Sequence, residues 1–500
     1  MAGPSLGVFL DIESCARITT PLPAVQNQQG TVQPQSDLEL DEIHPARSLD
    51  QKAREPRVHE SPGSSIPTPG TLESSVHTPI AENPTTIEWA LDRTVVSWKD
   101  KWRLFSACLM LLGNGMNDGA PGALIPYMEK HYQISYSVVS LIFVGNALGF
   151  ISAAPVTHSI DQMLGRSKTY ALSMFILAAA YIVITCQPPF PVVVVCFFLL
   201  GFGVALNLAL NNAYSAGLAD STTALGLVCG TYGIGGTVAP LFATAMESHG
   251  IRWSLFYSVP LAVCLLNLAF ASWAFSNFEQ DTSIEPQQAI RISAERVNIE
   301  EEHLSRTQLL KKAIRNRTTL LGALFIFAYQ GAEVSISGWV VSFLINYRHG
   351  EPSRVGYVSS GFWAGITAGR FLLTHPAAKI GEKVAVLGMV AGAVIFQLMT
   401  WLIPNVISEA VSVAILGVLL GAVYPCAASV FTKLLPRSMH IPSLSFVSAL
   451  GSSGGAVWPF VTGILSQHVG TMILHPICIG LYGVMAASWL LLPKISKRSE

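Results

Sequence analysis

Long apolar stretches recur along the chain from Trp102 onward, separated by short polar segments. Each stretch is long enough to cross the ~30 Å of hydrocarbon in a lipid bilayer as a helix. Because lipid offers no water to the backbone, each stretch must close its own hydrogen bonds, which predicts a transmembrane helix. The twelve predicted spans cover residues 104–128, 137–160, 169–187, 191–218, 222–246, 253–276, 318–346, 354–374, 383–403, 410–434, 442–466 and 471–492.

Two polar regions flank or divide this apolar pattern. The N-terminal region is rich in Pro, Ser, Thr, Gln and Glu and has too little apolar surface to offset chain entropy, which predicts disorder. A long charged segment separates the sixth span from the seventh. The predicted domains are a disordered cytoplasmic tail at 1–100, a six-helix bundle at 101–276, a cytoplasmic loop at 277–317, a second six-helix bundle at 318–492 and a short cytoplasmic tail at 493–500.

Two short motifs recur at an offset of six spans. Residues 235–240 of the fifth span read Gly-Gly-Thr-Val-Ala-Pro, and residues 454–459 of the eleventh read Gly-Gly-Ala-Val-Trp-Pro. The first span places an acid beside a Gly-Ala pair at 118–120, and the seventh does so at 331–333. The repeats indicate two pseudo-symmetric halves around a central site, which is a design of secondary transporters. We therefore predict an all-α membrane protein of two six-helix bundles.

The basic residues of the predicted loops are distributed unevenly. With the N-terminus inside the cell, nineteen Lys and Arg lie on the inner side and four on the outer side. This positive-inside bias predicts that both termini are cytoplasmic. We expect a plasma-membrane protein, with a vacuolar or other internal membrane as the alternative.

Composition excludes several classes of function. Asp, Glu, Lys and Arg make up 12% of the 500 residues, against about 25% in soluble proteins, so the lipid bilayer is the expected surroundings. The net charge of −1 gives no reason to expect nucleic acid as a partner. No metal-binding Cys or His spacing and no activated nucleophile appear. We expect no cofactor, no metal and no enzymatic activity, and a functional monomer.

Asp118 of the first span and Glu333 of the seventh are the acids that lie well inside predicted spans. An acid in a partly dehydrated cavity can load and release protons near neutral pH, so both are candidates for proton coupling. The alternative is a fixed structural pair, for instance with Arg370 of the eighth span. We assign Arg370 to a gate or an inner salt bridge, with a substrate contact as an equal alternative.

Other polar and aromatic side chains inside the spans are candidates for binding a solute. Amide side chains both donate and accept hydrogen bonds, which suits hydroxylated or carbonyl ligands. Aromatic rings can stack on a ligand, although packing is the commoner role for each ring taken singly. The substrate-binding candidates are Asn114, Asn117, Asn207, Asn211, Gln330, Trp363 and Tyr424.

The loop after the second span reads Asp161-Gln-Met-Leu-Gly165-Arg166-Ser-Lys168. An acid at one helix end and bases at the next can form a charge latch that holds one conformational state. Ordinary basic residues of an inner loop are the alternative interpretation. The pattern resembles the signature of the major facilitator superfamily, in which an Asp precedes Gly-Arg-x-Lys between spans two and three.

Within that superfamily, two stretches resemble the branch of fucose permease and the glucose/galactose transporters. They are 117–119, Asn-Asp-Gly, and 331–335, Gly-Ala-Glu-Val-Ser. The resemblance implies a rocker-switch symporter in which Asp118 takes part in proton coupling. It also implies an acid in span four, where this chain has Asn207 and Asn211 instead. The long Ser/Thr/Pro tail is of a kind seen in fungal members.

The predicted function is proton-coupled symport of a small polar or sugar-like solute by alternating access. Its partners are therefore a small-molecule solute and protons. Proton-driven efflux of a secondary metabolite or drug is the alternative within the same architecture. A channel or a membrane-embedded enzyme fits two equivalent six-helix halves less well.

Overall fold

A computed structural model describes residues 98–216, 218, 221–276, 278, 312, 315–435 and 439–493. All of these residues belong to one compact unit. The described part is almost entirely helical and contains no strand. The predicted tail at 1–100, the loop at 277–317 and the terminal segment at 493–500 lie almost wholly outside the described residues.

One long helix corresponds to each predicted span, which confirms the predicted all-α fold. In the described part of the chain, the twelve helices that correspond to the spans are α1 (Trp98–Tyr132), α2 (Leu141–Leu164), α3 (Arg166–Thr185), α4 (Phe190–Ala216), α5 (Ser221–Ser248), α6 (Ser258–Ala274), α7 (Arg317–Asn346), α8 (Tyr357–Leu372), α9 (Glu382–Leu402), α10 (Val406–Leu434), α11 (His440–Val469) and α12 (Leu474–Leu490).

Nine helical segments in the described part are long and apolar enough to cross a membrane. The three remaining long helices are α1, α8 and α11. With 16 residues, α8 is short for a span, and a further short helix at Thr374–Ile380 follows it. The other two, α1 and α11, are rich in Gly, Ser or Asn, which lowers their apolar content. These less apolar helices pack in the interior, where they can carry a polar site.

Local sequence signals set where several helices begin. The Asn316 side chain accepts hydrogen bonds from the backbone N–H groups of Thr318 and Thr319, and so caps the N-terminus of α7. Asn405 caps α10 in the same way, through the backbone N–H groups of Ile407 and Ser408. Each cap satisfies N–H groups that have no partner within the helix.

The helices of each half pack in the same pattern. Within α1–α6, the most extensive contacts join α1 to α5, α2 to α4 and α3 to α4. Within α7–α12, the most extensive contacts are the equivalent ones and join α7 to α11, α8 to α10 and α9 to α10. The two sets meet where α1 contacts α7, α2 contacts α11 and α5 contacts α8. The packing therefore repeats at an offset of six helices, as the sequence motifs do.

Glycines bring α1 and α5 into backbone contact. A Cβ atom on Gly115 or Gly119 of α1 would clash with the backbone of α5 at Tyr232 or Gly236. A Cβ on Gly235 of α5 would clash with the carbonyl oxygen of Leu112. In lipid, where no hydrophobic force drives helices together, close backbone approach through small residues supplies much of the packing energy. These glycines therefore form a packing seam between α1 and α5.

We expect that Gly235→Ala destabilises the folded protein, because its new methyl group meets backbone rather than a movable side chain. Overpacking of this kind costs about 1–3 kcal/mol. The measurement is the unfolding temperature of the purified protein in detergent. The matched control is Gly226→Ala in the same helix, where a Cβ meets no atom within 4 Å. Equal unfolding temperatures for the two variants would contradict the interpretation that Gly235 is needed for the close contact between α1 and α5.

Candidate functional site

The acid of α1, Asp118, lies buried where α1 meets α5, with 3% of its surface exposed. Tyr232 of α5 donates a hydrogen bond to Asp118 Oδ2 at 2.6 Å, and the Asn117 amide donates to Asp118 Oδ1 at 3.2 Å. Tyr181 of α3 reaches Asn117 Oδ1 at 3.5 Å. Asp118 takes part in none of the ion pairs formed between described residues. Within that part of the chain, neutral donors and no cation hold its carboxyl group.

The three other candidate amides of α1 and α4 are buried and bonded to partners within the protein. Asn114 and Asn207 exchange hydrogen bonds, with Nδ2 to Oδ1 distances of 2.6 and 3.2 Å. Asn211 accepts a hydrogen bond from Tyr170 Oη at 2.9 Å and donates to Met110 Sδ at 3.4 Å. A solute could therefore bind to these amides only by replacing an existing hydrogen bond.

The polar residues of α7 lie buried in the second half. Glu333 and Gln330 are 5% and 3% exposed, and Gln330 Oε1 has no hydrogen-bond partner among the described residues. The positive charge of Arg370 on α8 acts on Glu333, but no ion pair within 4.0 Å joins them. The structure thus brings Glu333 and Arg370 into one electrostatic neighbourhood without fixing them as a contact pair.

The two candidate aromatic residues pack against tyrosines. The ring of Trp363 on α8 meets Tyr232 edge to face, with 6.3 Å between centroids, and covers Gly236 of α5. Tyr424 on α10 lies 5.8 Å from Tyr329 on α7 in a tilted arrangement. Trp363 therefore links the second half directly to the tyrosine that holds Asp118.

A small cavity lies between α1, α4, α5 and α8, next to this tyrosine. Its one fully charged lining residue is Arg370, which reaches it from the second half. The cavity is lined by Leu111, Leu208, Asn212, Val228, Cys229, Tyr232 and Arg370.

The residues of the predicted latch lie where α2 ends and α3 begins. Gly165 joins the two helices with a φ of +80°, a conformation that favours glycine. This turn places Arg166 Nη2 at 3.2 Å from Asp161 Oδ2, and Arg166 Nη1 donates to the Leu210 carbonyl oxygen of α4 at 3.3 Å. Lys168 is exposed and contributes no hydrogen bond or ion pair within the described residues. Three of the four signature residues therefore come together.

The second half has a similar glycine turn with an ion pair beside it, between the short helix at Thr374–Ile380 and α9. Gly381 makes the turn with a φ of +106°. Glu382 follows it, accepts a hydrogen bond from Ser429 of α10 at 2.9 Å and forms an ion pair with Lys433. In each half, the residue that follows the turn glycine contacts the fourth helix of that half. Arg166 bonds to α4 in the first half, and Glu382 bonds to α10 in the second.

At the end of the bundle away from Trp98 and Pro493, which we call the distal end, the two halves are in contact. The Tyr136 backbone N–H donates to Gln467 Oε1 at 3.1 Å, and the Tyr136 ring lies 5.8 Å from that of Trp339. The Phe143 ring covers Gly338 of α7. These contacts join α2 and the segment before it to α7 and α11, so the central residues are covered on the distal side.

Some site residues could not be identified as such from the sequence. The pairing of Tyr232 with Asp118 joins residues 114 positions apart, and Tyr170 and Tyr181 of α3 also bond to candidate residues. Tyrosines are common in spans, so nothing in their spacing marks them. Asn212 carries a usable signal, since it is an amide within a span, yet only the structure places it in the cavity.

No group of three His, Cys, Asp or Glu side chains in the described part of the chain is placed to hold a metal ion.

Comparison with known proteins gives consistent matches. The family profile described as Major Facilitator Superfamily matches residues 107–440. Bypass of stop codon protein 6 of Saccharomyces cerevisiae is 23% identical over 421 residues, covering 80% of this chain and 84% of the yeast protein. The glucose/galactose transporter of Brucella abortus is 24% identical over 401 residues, covering 73% and 89%.

The fold is also that of a solved transporter. The crystal structure of a D-xylose-proton symporter superposes with a TM-score of 0.63 at 12% sequence identity, covering 79% of this chain and 98% of the symporter. Its likeness to the present structure is one of fold. Since the family profile spans more than half of the 500 residues, the chain belongs to the major facilitator superfamily of membrane transporters.

Proposed function

We propose that this protein is a proton-coupled symporter of a small polar solute of the sugar type. The halves α1–α6 and α7–α12, with the domain boundaries predicted from the sequence, would expose a central site to one side of the membrane at a time. In this proposal the protein works as a monomer in the plasma membrane and catalyses no chemical reaction. The glucose/galactose transporter and the D-xylose-proton symporter among its relatives support the solute class and the proton.

The burial of Asp118 without a paired cation carries this proposal. A charged carboxylate is costly in a low-dielectric interior unless it is paired and fully hydrogen-bonded. The neutral donors Tyr232 and Asn117 offset part of that cost, and taking up a proton removes the rest. Movement of α5 against α1 would change the Tyr232 hydrogen bond, so the proton on Asp118 is linked to the conformation of the first half.

Glu333 is the second proton-coupling candidate, and Arg370 modulates it. Arg370 is a cation in the neighbourhood of Glu333, whereas the Asp118 carboxyl group is held by the neutral donors Tyr232 and Asn117. We therefore assign the transported proton to Asp118 and give Glu333 the role of countercharge to Arg370. This choice separates two residues for which the sequence left both roles open.

The solute would bind between the halves, near Trp363 and the amides of α1, α4 and α7. Asn117, Asn207 and Gln330 are placed on helices that face the interior, and the Oε1 of Gln330 has no partner within the described residues. The four asparagines are bonded within the protein in this conformation and would exchange their internal partners for the solute: Asn114, Asn117, Asn207 and Asn211. Trp363 and Tyr424 supply ring faces for stacking on an apolar side of a sugar.

Asp118→Asn keeps the size and hydrogen-bonding capacity of the side chain but cannot ionise. We expect it to abolish accumulation of solute driven by an inward proton gradient, while exchange of labelled for unlabelled solute across the membrane continues. The measurement is uptake into proteoliposomes with and without the gradient. The matched control is Glu351→Gln, which removes an acid that is exposed.

Unchanged gradient-driven accumulation in Asp118→Asn would remove this residue from the coupling mechanism. Solute extrusion accompanied by proton entry in the unaltered protein would replace symport by efflux.

The latch leads to a second prediction. Arg166→Gln breaks the ion pair with Asp161 and weakens the contact with Leu210, so the conformation that they hold loses stability. We expect the transport rate to fall by about tenfold, which corresponds to a rise of about 1.4 kcal/mol in the activation free energy of the conformational change. Uptake rates are measured with equal amounts of folded protein, as judged by size-exclusion chromatography.

The control is Lys168→Gln, which changes an exposed base near the same turn and should leave the transport rate within about twofold. Equal losses of transport rate in both variants would exclude a specific latch.

The placement of the termini gives a third prediction. The excess of basic residues on the inner side leads us to place Met1 and Glu500 in the cytoplasm. A reporter enzyme that is active only in the cytoplasm, fused after Glu500, should be active, and the same reporter inserted after Gly250 between α5 and α6 should not. The opposite pattern would reverse the orientation.

A further inference from the structure

Five aromatic rings form one contact cluster at the end of the bundle where α1 begins and α6 ends. The ring of Trp102 on α1 lies at its centre, with centroid distances of 5.3 Å to Trp98, 6.1 Å to Phe105, 5.7 Å to Phe270 and 6.5 Å to Trp273. Phe270 of α6 also meets Phe105 and Trp273, at 5.8 and 5.6 Å. We call these five residues the aromatic cluster.

The aromatic cluster lies on the outer surface of the bundle. Trp98, Phe105 and Trp273 are 68%, 55% and 59% exposed. Trp98 and Trp273 are the exposed tryptophans of the described residues, and the others in that part of the chain are buried or half-buried. Tryptophan is enriched at the membrane–water interface, because its ring is apolar while its N–H prefers a polar partner. The cluster is therefore suited to the level at which lipid headgroups meet acyl chains.

Two exposed lysines flank the aromatic stripe of α1. Trp98, Trp102 and Phe105 recur at helical spacing and share one face of the helix, and Lys99 and Lys101 project to its two sides. Lys101 forms no hydrogen bond or ion pair within the described residues. A lysine in this position can lay its apolar stem along the protein surface and hold its ammonium group at the level of the headgroups.

The acid between these lysines is balanced by a different cation. Asp100 pairs with the Arg103 guanidinium group at 3.2 Å. Arg103 is buried, with 4% exposed, and donates to the Ala274 carbonyl oxygen of α6 at 3.0 Å. The negative charge of Asp100 is thus compensated within the protein. The outer face of the first turn of α1 keeps the positive charge of its lysines beside the exposed rings.

We propose that the aromatic cluster, together with Lys99 and Lys101, binds an anionic phospholipid in the leaflet at this end of the bundle. The rings would contact the glycerol region and the upper acyl chains, and the ammonium groups would bind the phosphate and the second negative group of the headgroup. A lysine near an anionic membrane surface contributes about fivefold in affinity, which corresponds to about 1 kcal/mol.

A lipid fits this surface better than a second copy of the chain does. A symmetric contact between two copies would bring the same lysines of both together, and like charges across an interface repel. An anionic headgroup instead complements the charge, and its acyl chains complement the rings. The surface is remote from the proposed solute and proton sites, so this inference does not rest on the proposed function.

The experiment measures lipid selectivity through the quenching of tryptophan fluorescence. The full chain is reconstituted in phosphatidylcholine bilayers that contain either phosphatidylserine or phosphatidylcholine with brominated acyl chains. The signal of the cluster is the difference between the unaltered protein and Trp98→Phe/Trp273→Phe. We expect the association constant at these tryptophans to be about tenfold higher for the anionic lipid, and about 0.5 M salt should reduce this preference by screening.

The lysines are tested by two double variants. Lys99→Gln/Lys101→Gln should remove the preference for the anionic lipid, and Lys99→Glu/Lys101→Glu should favour the zwitterionic lipid. The matched control is Lys130→Gln/Arg252→Gln, which removes two exposed bases at the distal end and should leave the preference unchanged. All four positions are exposed, so each variant should keep the unfolding temperature of the unaltered protein.

Equal association constants for the two lipids in the unaltered protein would reduce the cluster to a general aromatic belt and overturn the proposal. A preference that survives in Lys99→Gln/Lys101→Gln would overturn it as well. Loss of the preference on addition of inorganic phosphate at constant ionic strength would assign the lysines to a free anion. A dimer that dissociates in Trp98→Ala would assign the surface to a second copy of the chain.

Discussion

The hydrogen bond from Tyr232 to Asp118 depends on the close, glycine-mediated contact between α1 and α5, and most of the site depends on that bond. Glycines at 115, 119, 235 and 236 let the backbones of α1 and α5 touch, which brings a tyrosine hydroxyl within 2.6 Å of a buried carboxyl group. Lipid supplies neither water nor counterions at this depth, so the acid must be stabilised by groups of the protein. A bulkier residue in the seam would separate donor and acceptor and leave the carboxyl group unsatisfied.

The same tyrosine connects the two halves of the protein. Its ring meets Trp363 of α8, and the cavity that it lines contains Arg370 of the same helix. Any rocking of α7–α12 against α1–α6 changes these contacts and with them the surroundings of Asp118. A single side chain therefore contacts Asp118, the second half and the cavity at once, which is the arrangement that the proposed coupled transport requires.

The sequence predicted the architecture well and the contacts of the site only in part. Twelve apolar stretches, the Gly-Gly repeat and the signature at 161–168 rest on strong local constraints, namely backbone hydrogen bonding in lipid and the glycine turn at Gly165. Asp118 and Glu333 could be selected because acids inside spans are rare. The partners of these acids could not be predicted, because contacts between helices depend on how each helix is rotated against its neighbour. The same rotation decides whether Asn207 bonds to Asn114 or faces an open cavity, and periodicity within one helix does not fix it.

The second half shows why the polar residues need not all serve one purpose. At the distal end, Arg348 pairs with the fully buried Glu409 at 2.5 Å and donates to the Trp401 carbonyl oxygen at 2.6 Å. That cation has a close anion, and removing it would leave the buried Glu409 carboxylate unpaired, so its role is to fix the end of α7 against α9 and α10. Arg370 is partly buried and makes no such ion pair within the described residues. It therefore does not fix helices together as Arg348 does, and this contrast within one bundle separates the two arginines.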